Sequence, residues 1–123
     1  MKNKTKLLFI LLGLLIVIQS CQKDTSMNQT NTVQVSISKN QTYNYDLGSF
    51  GDEEGASISK QALHYLICKT DREVSSGKIQ FTYVPEKDYI GADEVIINTS
   101  RGSDGASSGK YFSTIIFKIN ITN

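Results

Sequence analysis

The residues of this 123-residue chain that could perform covalent chemistry are few: two cysteines, one histidine and scattered serines. Gly105, Ser107 and Gly109 have the G-x-S-x-G spacing of an α/β-hydrolase nucleophile elbow, where a histidine follows the serine along the chain. The single histidine, His64, precedes Ser107 instead, and the residues after Gly109 alternate as in a strand. We therefore interpret the segment as a hairpin loop, expect no catalytic residues, and predict that the protein is not an enzyme.

A short acidic run, Asp52-Glu53-Glu54, lies between Gly51 and Gly55. Calcium takes six to eight oxygen ligands, which carboxylates on loops can supply. The spacing of an EF-hand is absent, and a solvated acidic loop is the simpler interpretation of the run. We expect no metal site and no cofactor, although the sequence leaves open whether Asp52–Glu54 binds calcium.

The first residues have the pattern of an export signal. Lys2, Lys4 and Lys6 precede the apolar run 7–18, which is shorter than the roughly 20 residues that a membrane-spanning helix needs. The run ends in Ile18-Gln19-Ser20-Cys21, which resembles the lipobox of bacterial lipoproteins. This resemblance implies that residues 1–20 are a cleaved signal peptide and that Cys21 carries the lipid that attaches the protein to a membrane.

The residues that follow Cys21 bear on location. Gln22-Lys23-Asp24-Thr25 resembles the charged tag of lipoproteins that one group of Gram-negative bacteria sends to the cell's outer face. The resemblance implies a lipid-anchored protein of the outer membrane, exposed at the cell surface. The sequence does not settle whether the domain faces outward or into the periplasm. The polar segment 21–32 is interpreted as the lipidated cysteine and a flexible tether.

The charge balance excludes one class of partner. Removal of residues 1–20 takes away three lysines and no acid, which leaves a slight excess of acidic residues. Nucleic-acid-binding domains instead carry concentrated positive charge. We expect no nucleic acid as partner; the expected partners are the membrane, through Cys21, and an unknown protein or glycan.

From residue 33 onward, apolar residues mostly recur at every second position. Val33, Val35 and Ile37 begin the pattern, and Ser113 to Ile121 ends it. Such alternation is typical of strands with one buried face. We therefore predict one all-β domain over residues 33–123, with about seven strands and Cys68 as a small core residue. The segment Ser59–Lys69 also fits a helical period, so strand and helix both remain open there.

Three blocks between Ile58 and Ile121 resemble the immunoglobulin-like, cadherin-like repeats found in tandem in large bacterial surface adhesins. The blocks are Ile58–His64, Phe81–Pro85 and Tyr89–Val95. The resemblance implies an immunoglobulin-like β-sandwich.

Three residues of these blocks have predicted structural roles. Pro85 lacks an amide hydrogen and ends its strand without leaving an unpaired donor. Gly91 can adopt a backbone conformation closed to other residues in a tight corner. The Asp93 carboxylate can accept hydrogen bonds from nearby backbone amides.

Taken together, these patterns predict a non-catalytic, lipid-anchored cell-envelope protein that acts as a surface binding or spacer module in adhesion or in glycan or protein interaction. The alternative is a periplasm-facing accessory or inhibitor subunit of an envelope complex.

Overall fold

The computed structural model describes residues 28–49, 51, 55–102 and 111–123. In those residues the chain forms seven strands: β1 Asn28–Ser38, β2 Tyr43–Ser49, β3 Gly55–Lys60, β4 Tyr65–Arg72, β5 Lys78–Pro85, β6 Gly91–Arg101 and β7 Tyr111–Thr122. They are arranged in a four-stranded sheet, β1-β7-β6-β3, and a three-stranded sheet, β2-β5-β4. The predicted all-β, immunoglobulin-like sandwich is confirmed.

The direction of β1 defines the two ends of the sandwich. It runs parallel to β7, with Asn28 beside Phe112 and Ser38 beside Thr122, whereas all other pairs are antiparallel. The end at which β1 begins, called here the leading end, also has the last residues of β2, β4 and β6, the first residues of β3, β5 and β7, and the connection 73–77. The opposite end, called the corner end, has the connections 39–42, 61–64 and 86–90.

The core lies between the two sheets and follows from the alternation of side chains along each strand. Phe81 and Tyr83 of β5 face Phe117 of β7 and Val95 of β6, and all four are fully buried. The rings of Phe81 and Phe117 have their centroids 4.7 Å apart. Cys68 is also buried in this core, as predicted.

The segment Ser59–Lys69, for which a helix had remained open, is strand and bend. Lys60 pairs with Ile96 of the four-stranded sheet, and Tyr65 pairs with Pro85 of the three-stranded sheet. Residues 61–64 therefore carry the chain from one sheet to the other. Pairing on both sides overrides a local helical period, because propensity is a weak preference compared with tertiary context.

The predicted tether extends too far along the chain. Residues 28–32 belong to β1 and pair with residues 112–116 of β7. Their side chains are all exposed, so they show no apolar period. The segment is held by backbone pairing, which does not depend on side-chain polarity. The signal peptide 1–20, Cys21, Asp52–Glu54 and the loop around Ser107 lie outside the described residues.

Within the part of the chain that the structure describes, no helix is long and apolar enough to cross a membrane.

Candidate functional site

A highly connected polar group of the described residues is the carboxylate of Asp93, near the start of β6. The residue is only 8% exposed. Its oxygens accept hydrogen bonds from the backbone N–H groups of Leu63, His64 and Glu94, each at 2.9 Å. The Tyr83 hydroxyl donates a further bond at 3.1 Å. Asp93 therefore ties the bend 61–64 to β6 of the four-stranded sheet and to Tyr83 of β5 in the three-stranded sheet.

The electrostatics of this corner favour a charged aspartate and a neutral tyrosine. Burial by itself raises the pKa of Asp93, but the three backbone amides and the Tyr83 hydroxyl outweigh it, and the pKa is lowered overall. The pKa of Tyr83 is raised, mainly by burial and to a lesser extent by the negative charge of Asp93. The Tyr83 hydroxyl also lies 2.9 Å from the His64 carbonyl, so it acts as a hydrogen-bond donor within the fold.

Gly91 lies two residues before Asp93 and has a φ of +152°. An added Cβ there would lie 2.6 Å from the Tyr89 hydroxyl oxygen. That hydroxyl donates a hydrogen bond to the Ala92 carbonyl at 3.1 Å, and the Tyr89 ring stacks on His64 at 4.1 Å. The single histidine of the chain thus packs against a tyrosine.

Pro85 is the last residue of β5 and is fully buried. It pairs with Tyr65 at the start of β4. The next residue, Glu86, donates its N–H to the His64 carbonyl at 3.1 Å. The proline therefore ends the strand where the chain turns towards the bend 61–64.

A groove of about 470 Å³ lies on the outer face of the four-stranded sheet, next to this corner. Its polar rim is formed by side chains from four strands. The Lys60 ammonium donates a hydrogen bond to the Glu94 carboxylate at 2.8 Å, and Glu94 is in register with Lys118. The hydrogen bond from Lys60 lowers the pKa of Glu94, and the positive charge of Lys60 lowers it further. The groove is lined by Gln34, Lys60, Leu63, Ala92, Asp93, Glu94, Lys118, Ile119 and Asn120.

Leu63 is the large exposed apolar residue of this groove, with 81% of its surface accessible. Its backbone N–H donates a hydrogen bond to Asp93, so the buried carboxylate fixes the backbone at an exposed leucine. An exposed apolar side chain on a fixed backbone beside charged groups is suited to non-covalent binding, because the backbone there does not have to be ordered on association. Sequence reasoning missed this role: Leu63 fits the apolar period of the segment, and only tertiary structure places it at the groove.

A second groove, of about 500 Å³, lies on the outer face of the three-stranded sheet. It is lined by Asp46, Asp71, Arg72, Glu73, Lys78 and Gln80. Two of the acids have basic partners, since the Lys78 ammonium is 3.8 Å from Asp46 and the Lys69 ammonium is 2.8 Å from Asp71. Among the residues that the structure describes, no group of three or more acidic, histidine or cysteine residues is placed to hold a metal ion.

Comparison with known proteins identifies the fold. No family model matches the chain, and no curated protein matches it. Among solved structures, PbICP-C in complex with falcipain-2 superposes with a TM-score of 0.53 at 13% identity, covering 80% of this chain and 93% of that one. An endo-fucoidan hydrolase of glycoside hydrolase family 107 superposes with a TM-score of 0.47 at 13% identity, covering 76% of this chain and 13% of that one. InlP of Listeria monocytogenes superposes with a TM-score of 0.40 at 10% identity, covering 77% of this chain and 28% of that one. The first of these likenesses supports the β-sandwich fold of this chain.

Proposed function

We propose that this chain is a non-catalytic, lipid-anchored cell-envelope protein that binds a protein partner through the groove beside Leu63. The observation that carries the proposal is the exposed Leu63, held by the buried Asp93 carboxylate at the edge of a charged groove. Apolar anchors surrounded by polar groups are typical of protein-binding surfaces. The lipidation of Cys21 and the position at the outer membrane are inferred from the lipobox and the segment that follows it.

The chemistry of the groove favours a protein over a glycan as the partner. Sugar rings are commonly held by stacking on aromatic side chains, and the residues that line the groove include no aromatic residue. The lining instead offers one large exposed apolar side chain, Leu63, an ion pair between Lys60 and Glu94, and a second cation at Lys118. A solved neighbour of the same fold, PbICP-C, is itself held in a complex with another protein, falcipain-2.

Two substitutions at opposite ends of the domain test the groove. Leu63→Asp places a charge at the groove, whereas Val74→Asp makes the same change at an exposed apolar residue of the leading end. Immobilised domains carrying each change are incubated with solubilised envelope of the native cell, and the captured proteins are compared with those of the unsubstituted domain. Both variants are expected to melt close to the unsubstituted domain because both side chains are exposed.

We expect Leu63→Asp to abolish capture of at least one protein that both the unsubstituted domain and Val74→Asp retain. Equal capture by all three domains contradicts binding at the groove. Loss of capture in Val74→Asp alone would place the binding surface at the leading end instead.

The side of the membrane is tested on intact cells. A protein displayed outward is degraded by added protease, whereas a periplasm-facing accessory or inhibitor subunit is protected until the outer membrane is opened. The Cys21→Ser variant provides the control for anchoring, since it is expected to leave the membrane fraction. A Cys21→Ser protein that remains in that fraction at unchanged mass contradicts lipidation.

A further inference from the structure

The chain enters the sandwich at the leading end, which limits how the domain can lie relative to a membrane that holds Cys21. Asn28 is the seventh residue after Cys21. Even fully extended, seven residues span at most about 25 Å. The lipid surface therefore lies within that distance of the first residue of β1.

The reach of this segment is shorter than the domain is long. Strand β7 has 12 residues and runs from the leading end to the corner end. At about 3.3 Å per residue it measures about 40 Å. Asn28 is in register with Phe112, ten residues before Thr122, so it would be about 33 Å away if the corner end lay against the membrane, beyond the reach of the anchor. An end-on contact through Leu63 and the other residues of the corner end is therefore excluded for the anchored protein.

Exposed apolar residues are present at the leading end. Val74, in the connection between β4 and β5, is 96% exposed. Tyr111 and Phe112, the first two residues of β7, are 60% and 43% exposed. Tyrosine and other aromatic residues favour the interface between lipid and water, where an apolar ring and a polar group are both accommodated.

We propose that the leading end lies on the lipid surface that holds Cys21, with Val74, Tyr111 and Phe112 in the interfacial layer. The proposal rests on the proposed function, because it requires the lipid on Cys21. The described charged groups near this end are mixed in sign, with Arg72 and Lys78 beside acidic residues. The contact is therefore mainly apolar, and we expect it to persist at high salt, which screens exposed charges.

The absence of tryptophan from the sequence allows a direct test, because each introduced tryptophan is the only one in the protein. The full chain is produced in a bacterium that processes lipoproteins and is reconstituted into vesicles of phosphatidylethanolamine and phosphatidylglycerol. Three variants are compared: Phe112→Trp at the leading end, Gln34→Trp on the outer face of the four-stranded sheet, and Leu63→Trp at the corner end. Replacement of the lipid by its brominated form then reports contact with acyl chains.

We expect Phe112→Trp emission to shift to the blue on reconstitution and to lose most of its intensity in brominated vesicles. The emission of Leu63→Trp and Gln34→Trp is expected to remain unchanged. Tyr111→Trp, at the neighbouring exposed position, serves as the second reporter if Phe112→Trp does not fold.

Four results overturn the proposed orientation. Quenching of Leu63→Trp places the corner end at the lipid, and quenching of Gln34→Trp means that the domain lies on its side. Unquenched leading-end reporters on a protein that is acylated at Cys21 and sediments with vesicles refute the orientation alone. A Cys21 peptide without acyl mass refutes both the lipid anchor of the proposed function and the orientation, so mass spectrometry distinguishes the two failures.

Discussion

Replacement of Asp93 by alanine removes the carboxylate that joins the bend 61–64 to the sandwich. The backbone N–H groups of Leu63 and His64 lose their acceptor, as does that of Glu94. The Tyr83 hydroxyl keeps its hydrogen bond to the His64 carbonyl oxygen, at 2.9 Å, so this hydroxyl is not left without a partner. Each lost partner costs about 1 kcal/mol where water can enter, as beside the exposed Leu63. We therefore expect Asp93→Ala to lower the free energy of unfolding by about 2–3 kcal/mol.

The assay is the thermal or urea unfolding of a domain that lacks residues 1–27, because β1 begins at Asn28. For a domain of this size the expected loss lowers Tm by roughly 10–20 °C. Asp71→Ala is the matched control, since Asp71 is exposed and its ion pair with Lys69 lies at the surface. That change is expected to alter stability by less than about 1 kcal/mol.

The isosteric variant Asp93→Asn sharpens the test. Its amide nitrogen would face an N–H group where the carboxylate now accepts a hydrogen bond, so it is expected to be about as unstable as Asp93→Ala. If Asp93→Ala melts with the unsubstituted domain, the corner does not stabilise the fold and the reasoning about Leu63 fails with it.

Three further results are expected. Gly91→Ala should cost about 1–3 kcal/mol, because a side chain is strained at this positive φ and its Cβ would meet Tyr89, whereas Gly55→Ala should cost less than about 0.5 kcal/mol. If the Gly91→Ala domain melts at the same temperature as the unsubstituted domain, the backbone at residue 91 is not strained by a side chain. Cys68 should resist thiol reagents until the domain is unfolded, since burial raises its pKa and hides the sulfur; rapid native labelling contradicts this. Calcium and chelators should leave the melting temperature unchanged, and a calcium-dependent rise would assign a metal to Asp52–Glu54.

Most of the sandwich is readable from the sequence because one face of each central strand is buried. Phe81, Tyr83 and Pro85 alternate with half-buried or exposed residues, and this period marks β5 without further information. The first five residues of β1 have no such period, because only their backbone is used. The bend 61–64 could not be predicted from the sequence either, because its position depends on strand pairings in two different sheets.

The candidate site was readable only in part. The corner residues Gly91 and Asp93 stand out by their local spacing, but two of the backbone donors that Asp93 binds lie 29 and 30 residues earlier in the chain. The groove joins Gln34, Lys60 and Lys118, which are far apart in the sequence. Each of them reads locally as an ordinary outward-facing polar residue of a strand. Such a site depends on sheet order, which alternation alone does not specify.

The pH dependence of stability links the buried carboxylate to the groove that it supports. The pKa of Asp93 is lowered in the folded protein, so its stabilising effect is complete above the unfolded value of about 4 and is lost as the pH falls through the folded value. The difference in unfolding free energy between the unsubstituted domain and Asp93→Ala should therefore be constant from about pH 7 to 5 and should shrink below about pH 4.

The decisive measurement is a pair of urea titrations across this pH range. A difference that instead shrinks as the pH rises would mean that the protonated carboxyl is the stabilising form. Because the same carboxylate fixes Leu63, partner capture by the unsubstituted domain should persist down to about pH 4 and fail over the same range as its stability. Loss of capture at a higher pH, with the fold intact, would assign partner recognition to the titration of a different group.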